Sequence, residues 1–271
     1  MFVKCKDIIE IMNLLAPLKL AEEWDNCGLS IGSPDYEVKK ILIALDAIEP
    51  VIQEAITLNA DMIITHHPLI LFQKIKNITT QTHLGNNIIQ LIQNKISVFS
   101  AHTNLDIAFG GTNDVLARLA GLENIHILEE TFQDEYGKSY GIGRIGTLSK
   151  EIRFEDFANK IKKQLNLDSM RVVGSLDKMV KTVALCTGSG FEYMMKAKKQ
   201  DADVYITADL KFHETQKAIE EKLCLIDATH YASENIIVPI LKEYIEKEAK
   251  NRGYEIQIYC SNINGQTFQT I

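Results

Sequence analysis

The sequence predicts an α/β fold of two lobes, each built on a mainly parallel sheet covered by helices. Three observations predict it. Short apolar runs of strand length alternate with segments of helical period. Blocks of the first half recur in the second. The sharpest polar clusters directly follow strand candidates, where open α/β sheets bind their ligands. At 271 residues, 46% hydrophobic and 24% charged, the chain can bury a substantial core in one large domain or two modest ones.

The opening stretch "MFVKCKDIIEIMNLL" mixes charged and apolar residues at helical spacing. It lacks the uninterrupted apolar core of a signal peptide, and nowhere do 18 apolar residues run together, so no membrane partner is expected. "KKILIALDA" (39–47) reads as a strand and "EPVIQEAITLNA" (49–60) as a helix. "DMIITHH" (61–67) is a second strand, a helix lies within "LGNNIIQLIQNK" (84–95), and "ISVFSAHTNLD" (96–106) is a third strand. "GGTNDVLARLAGL" (110–122) offers a glycine turn, a Thr/Asn cap and a short helix. Residues 123–150 are polar and glycine-rich and read as a link between lobes. "FEDFANKIKKQLN" (154–166) places Phe157, Ile161 and Leu165 at four-residue spacing, an amphipathic helix.

"VKKILIAL" (38–45) resembles "VKTVALCT" (180–187), and "ADMIITHH" (60–67) resembles "ADVYITAD" (202–209), both at an offset of about 140 residues. "SVFSAHTNLD" (97–106) is loosely like "CLIDATHYASE" (224–234). This predicts an internal duplication of one βαβ unit. The expected lobes are residues 1–125 with about 230–271, and about 126–229, with no inserted extra domain.

Net charge is −7 and the pI about 5.6, which argues against a nucleic-acid partner held by a basic surface. Five scattered cysteines without a C-x-x-C pair suit reduced thiols, so a cytoplasmic location is expected.

Three polar clusters carry the chemistry: His66-His67, His102 with Asp106, and His230 with Glu234. The last two pairs have four-residue spacing, which on a helical turn puts both groups on one face. Neighbouring histidines reach one target only if the chain leaves the strand there, and Pro68 favours that break. His66, His67, Asp106, His230 and Glu234 give three imidazoles and two carboxylates. This thiolate-free set suits Zn, Fe, Mn, Co or Ni, and metal availability selects among them. Five ligands exceed the usual three of one catalytic ion and fit two divalent metal ions sharing a carboxylate, in a cleft between the lobes. His102 is placed beside the ligands, orienting one or shuttling a proton.

Trp24, the sole tryptophan, is a candidate platform for a base or a loop anchor. Asp46 and Asp209 follow strands and are candidate ligand supports or substrate contacts, and His213 is a second candidate acid. "GIGRIG" (141–146) matches a dinucleotide fingerprint but neither follows a buried strand nor opens a helix, so it is set aside. "CTGSG" (186–190) has the shape of an anion-binding loop or of a tight structural turn.

Taken together, "AEEWDNCGLSIG" (21–32), "ADMIITHHPLI", "SAHTNLD", "DVYITADLKFHE" (203–214) and "LIDATHYASE" (225–234) resemble the signature blocks of the GTP cyclohydrolase 1 type 2 homolog family, or NGG-interacting-factor-like proteins. The blocks occur in the family's order. The resemblance implies two α/β lobes around a dinuclear site and a homohexameric ring. The family's ligands match His66, His67, Asp106, His230 and Glu234. Some members carry an inserted domain, whereas this chain resembles the compact form. Cys27 stands where a small apolar residue is common.

The function so implied is a dinuclear-metal-dependent hydrolase that opens the purine ring of GTP and releases formate, with His102 or His213 protonating the departing amine. A metal-dependent phosphoesterase uses similar sites. A non-enzymatic metal- or partner-binding ring with a regulatory role is the reading from another class.

Overall fold

The structure, a computed structural model, describes residues 2–71 and 75–269. The first helix, α1 (Cys5–Leu15), buries Cys5, Ile8, Ile11 and Met12 along one stripe. Strands β1 (Gly28–Ile31) and β2 (Lys40–Ala44) follow, then α2 (Glu49–Leu58), β3 (Met62–Thr65), α3 (His83–Gln93) and β4 (Ser97–Ser100). Helix α2 carries proline in its first turn and ends on Asn59 in the left-handed conformation. The Thr82 side chain caps α3 by accepting the Gly85 N–H at 3.1 Å. Apart from Lys40, every residue of β2, β3 and β4 is buried, which is why these strands read as continuous apolar runs.

The chain divides into two compact units, and the division falls inside α4 (Thr103–Ile107), between Leu105 and Asp106. The second unit contains α5 (Thr112–Ala120), β5 (Glu123–Gln133), β6 (Ser139–Arg153), α6 (Phe154–Gln164) and β7 (Arg171–Val173). It continues through β8 (Met179–Leu185), α7 (Met194–Lys199), β9 (Val204–Thr207), α8 (Phe212–Glu220), β10 (Cys224–Asp227) and α9 (His230–Asn235). Helix α10 (Ile237–Asn251) and strand β11 (Gln257–Cys260) return to the first unit.

The first unit's sheet has the order β1-β4-β3-β2-β11. All pairs are parallel except β1 on β4. Leu42, Ile52, Ile63, Leu91 and Val98 form its core with the covering helices. The second unit's sheet runs β5-β6-β8-β9-β10-β7. Here only β8-β9 and β9-β10 are parallel, so the expectation of mainly parallel sheets holds for the first unit and the second is mixed. Phe154, Phe157 and Ile161 of α6 pack there with Leu116, Val183, Ile206 and Ile226.

Much of the mixed character comes from residues 123–150, read from sequence as a link, and the rest from β7, antiparallel to β10. Residues 123–150 form most of the hairpin β5–β6, whose short connection requires antiparallel pairing. Its glycines serve close backbone approach. A Cβ on Gly141 would lie 2.0 Å from the Glu129 carbonyl oxygen. "GIGRIG" lies inside β6. Helix α5, expected in the first lobe, packs into the second unit's core through Leu116, Ala117 and Ala120. Among the described residues no helix is long and apolar enough to cross a membrane.

Candidate metal centre

In the first unit, Asp46, His66-His67 and His102 follow the carboxyl ends of the adjacent parallel strands β2, β3 and β4. The histidine pair has left the ladder. The His66 and His67 N–H groups both donate to the Leu45 carbonyl, at 3.2 and 3.0 Å, and the Thr65 hydroxyl donates to the His67 carbonyl at 2.8 Å. This break lets neighbouring side chains turn to one target.

His66, His67 and His102 present ligand atoms within 4.8 Å of one another. Each ring is held through Nδ1. His66 donates to the Ala101 carbonyl (2.8 Å), His67 to Asp46 Oδ1 (2.7 Å) and His102 to Asp25 Oδ1 (3.0 Å). With Nδ1–H so engaged, Nε2 is the nitrogen that can give its lone pair to a cation. His102, placed beside the ligands from sequence, thus stands in the imidazole cluster itself.

Asp25 is buried and also accepts the Thr103 N–H (3.0 Å), the Thr103 hydroxyl and the Cys27 thiol (3.0 Å). Burial works to raise its pKa, but hydrogen bonds from His102, Cys27 and Thr103 outweigh it and hold the carboxyl well below the usual range. Burial, with Asp25 alongside, pushes the Cys27 thiol up to about 12. Trp24, 54% exposed, makes a T-shaped contact with His102, ring centroids 5.9 Å apart.

In the second unit, the candidate groups follow β8, β9 and β10 and stand on α4. His230 and Glu234 share a face of α9, with Nε2 to Oε2 at 3.0 Å, and His230 Nδ1 donates to Asp209 Oδ2 at 2.7 Å. Burial lowers the His230 pKa, but the hydrogen bonds and charges of Glu234 and Asp209 outweigh it and raise it to about 9. Thr229, just before, adopts φ 57° and ψ 145°, a conformation rare for a β-branched residue. Its side chain accepts the Ala232 N–H at 3.4 Å and caps α9.

Asp106 is buried on α4, where the Thr112 hydroxyl donates to its Oδ1 and Asn113 Nδ2 to its backbone carbonyl at 3.0 Å. Thr112 and Asn113 had read as helix caps. The N-cap is instead Gly111, and both side chains serve Asp106. In "CTGSG", Gly188 N–H donates to Ser233 Oγ (3.1 Å) and Gly190 N–H to Thr207 Oγ1 (2.9 Å). Those amides are spent on a structural turn. Gly188, at φ 61°, passes so close to Glu234 that a Cβ would lie 2.1 Å from Oε1. His213 is exposed on α8 and pairs with Gln216 Oε1 at 2.8 Å.

Imidazoles anchored through Nδ1, a His–Glu pair and a buried aspartate, without a thiolate among them, fit divalent ions such as Zn, Fe, Mn, Co or Ni. Sequence reasoning gave no role at the site to Asp25, Thr187 or Ser233 and read Thr112 only as a cap, because these residue types are ordinary for turns and caps. The signals that could have found them were the nearness of Asp25 to Trp24 and the place of Thr187 within "CTGSG".

A Clostridium perfringens (strain 13 / Type A) protein named "GTP cyclohydrolase 1 type 2 homolog" is 38% identical over 269 residues, covering 99% of this chain and 100% of that protein. Among solved structures, a Bacillus cereus protein related to NIF3 superposes with a TM-score of 0.94 at 26% identity, covering 100% of both chains. A Staphylococcus aureus protein gives 0.93 at 32% identity, again over 100% of both. The Duf34/NIF3 (NGG1p interacting factor 3) family profile matches residues 3–266, and the chain belongs to that family.

Proposed function

We propose that this protein is a metal-dependent hydrolase in which His66, His67, Asp106, His230 and Glu234 serve as ligands for two divalent cations. The substrate would be a purine nucleotide, GTP, as the name of the C. perfringens relative suggests. The observation that carries the reading is the cluster of His66, His67 and His102, each ring fixed through Nδ1 by an acceptor. A bound pair of such cations lowers the pKa of water and polarises the bond it attacks. Water would add to the carbon between the two imidazole nitrogens of the purine. The bond to one nitrogen breaks, that nitrogen takes a proton, and a second hydrolysis frees formate.

The protein's own groups would orient and protonate. Asp25 holds His102 in one tautomer, so this ring can carry a proton to the departing amine. His213 is the second candidate for that step. Trp24 offers an exposed aromatic surface beside His102 for stacking on the base. Asp46 and Asp209 fix His67 and His230, and are candidate substrate contacts as well.

The parallel sets β2-β3-β4 and β8-β9-β10 each carry one antiparallel edge strand, β1 on β4 and β7 on β10. This supports a duplicated unit. A homohexameric ring in the cytoplasm completes the reading, and the acidic balance argues against nucleic acid as main partner.

The test is formate and phosphate release from GTP by metal-loaded protein, with His67→Ala beside it. Formate from the parent and at least ~100-fold less from the variant supports the assignment. Equal turnover in both overturns it. Phosphate without formate identifies a phosphoesterase, and no turnover with any nucleotide identifies a regulatory metal protein.

A further inference from the structure

The turn into α9 holds a strained residue that none of the chemistry above uses. Strand β10 ends at Asp227, and His230 is the first residue of α9. Thr229 takes up the reversal between them at φ 57° and ψ 145°, a region open to glycine and strained for a β-branched side chain. Such a conformation persists only where its surroundings over-determine it. On either side the backbone is fixed. The Ala228 N–H donates to the Thr207 carbonyl at 2.8 Å, and the Ser233 N–H to the Thr229 carbonyl at 3.1 Å. Between these points the Thr229 N–H donates to Asp227 Oδ1 at 3.3 Å.

Asp227 is held in its turn. It faces Arg171 across the β10–β7 pair, and the guanidinium donates to its Oδ2. The Asp227 side chain is only 5% exposed. A carboxylate accepts on both oxygens, so one can hold the arginine while the other holds the strained peptide. A return of Thr229 to negative φ would turn the peptide that follows, and with it the Cα–Cβ bond of His230. We propose that Asp227, braced by Arg171, is the positioning residue that keeps Thr229 at positive φ and so sets the His230 ring for metal binding. The inference rests on the reading of His230 as a metal ligand.

Cobalt(II) alone is the probe. Chelator-treated full-length protein is titrated with Co²⁺ under chelator competition, recording affinity, the visible absorption bands and the metal-free Tm. Asp227→Ala is expected to weaken Co²⁺ about 10–100-fold and to alter the bands. Glycine takes positive φ without strain, so adding Thr229→Gly to that variant should bring affinity back to within about threefold of the parent. Its metal-free Tm should stay low, because the pair with Arg171 is still lost. Thr229→Gly alone should also bind within about threefold of the parent. Arg171→Ala should weaken binding severalfold and provides the test if Asp227→Ala does not fold.

Parent-like affinity and bands in a folded Asp227→Ala or Arg171→Ala variant overturn the inference, as does a double variant that binds no better than Asp227→Ala. Loss of binding in Thr229→Gly alone overturns it too, since the side chain and not the backbone would then serve His230. His230→Ala separates the two failures. If it too binds Co²⁺ like the parent, the ligand assignment is wrong. If it alone loses binding, the ligand stands and the positioning role falls.

Discussion

His230 is clamped between two carboxylates, its Nε2 3.0 Å from Glu234 Oε2 and its Nδ1 2.7 Å from Asp209 Oδ2. In the metal-free protein the ring therefore holds both protons up to about pH 9, against an ordinary value of 6.5. A folded-state pKa raised in this way stabilises fully below the unfolded value and is lost as pH rises through the folded one. The Tm of chelator-treated protein should fall between pH 6.5 and 9, and His230→Gln should flatten that fall. A cation at Nε2 must displace one proton, so affinity should rise about tenfold per pH unit below pH 9. Thermal melts and competition titrations across pH check both.

Gly188→Ala should damage the same pair. The new Cβ would lie 2.1 Å from Glu234 Oε1, and the backbone sits at φ 61°, where alanine is strained. The left-handed conformation alone costs about 1–2 kcal/mol. A lower Tm with weaker Co²⁺ binding is expected, and a parent-like Co²⁺ titration would contradict the close approach.

Asp46→Asn keeps the size of the group that accepts His67 Nδ1–H at 2.7 Å but removes its charge. The imidazole becomes a poorer donor to metal, and the dissociation constant for Zn²⁺ should rise at least ~10-fold by calorimetry. If Asp46 instead serves the substrate, the change appears in KM for GTP with metal affinity intact.

Arg144 is 1% exposed and donates to the Gly141 and Gly143 carbonyls at 2.8 Å, to the Ile107 and Ala108 carbonyls at 3.4 and 3.3 Å, and to Asp114. Arg144→Leu leaves those oxygens and one carboxylate without their donor. Loss of one partner of a buried pair costs about 3–5 kcal/mol. Denaturant unfolding should show it, and a loss within about 0.5 kcal/mol would mean that water replaces the guanidinium.

The strands and most helices of the first unit were legible because β2, β3 and β4 are buried apart from Lys40, which gives them apolar runs of strand length. Pro68 marked where the chain leaves β3, and there the His66 and His67 N–H groups both donate to the Leu45 carbonyl. Hairpin β5–β6 was not legible, because its outward positions are polar and its glycines mimic a loop. Asp25 and Thr112 escaped because their value lies in what they touch. A buried aspartate holding His102 and a threonine holding Asp106 look like turn and cap residues until the chain is folded.

Most of the second unit, Asp106 to Ile236, is inserted in sequence between the two segments of the first, and this inverts the order of construction during synthesis. The stretch from Asp106 to Ile236 leaves the ribosome whole while α10, against which α1 packs, and β11, the neighbour of β2, are still unmade. The interior segment can therefore settle into its own layers first, and the stretch translated earliest waits longest with an apolar flank uncovered. A truncation before Ile237 would keep His66, His67 and His102 in the polypeptide yet deny their sheet its closing edge.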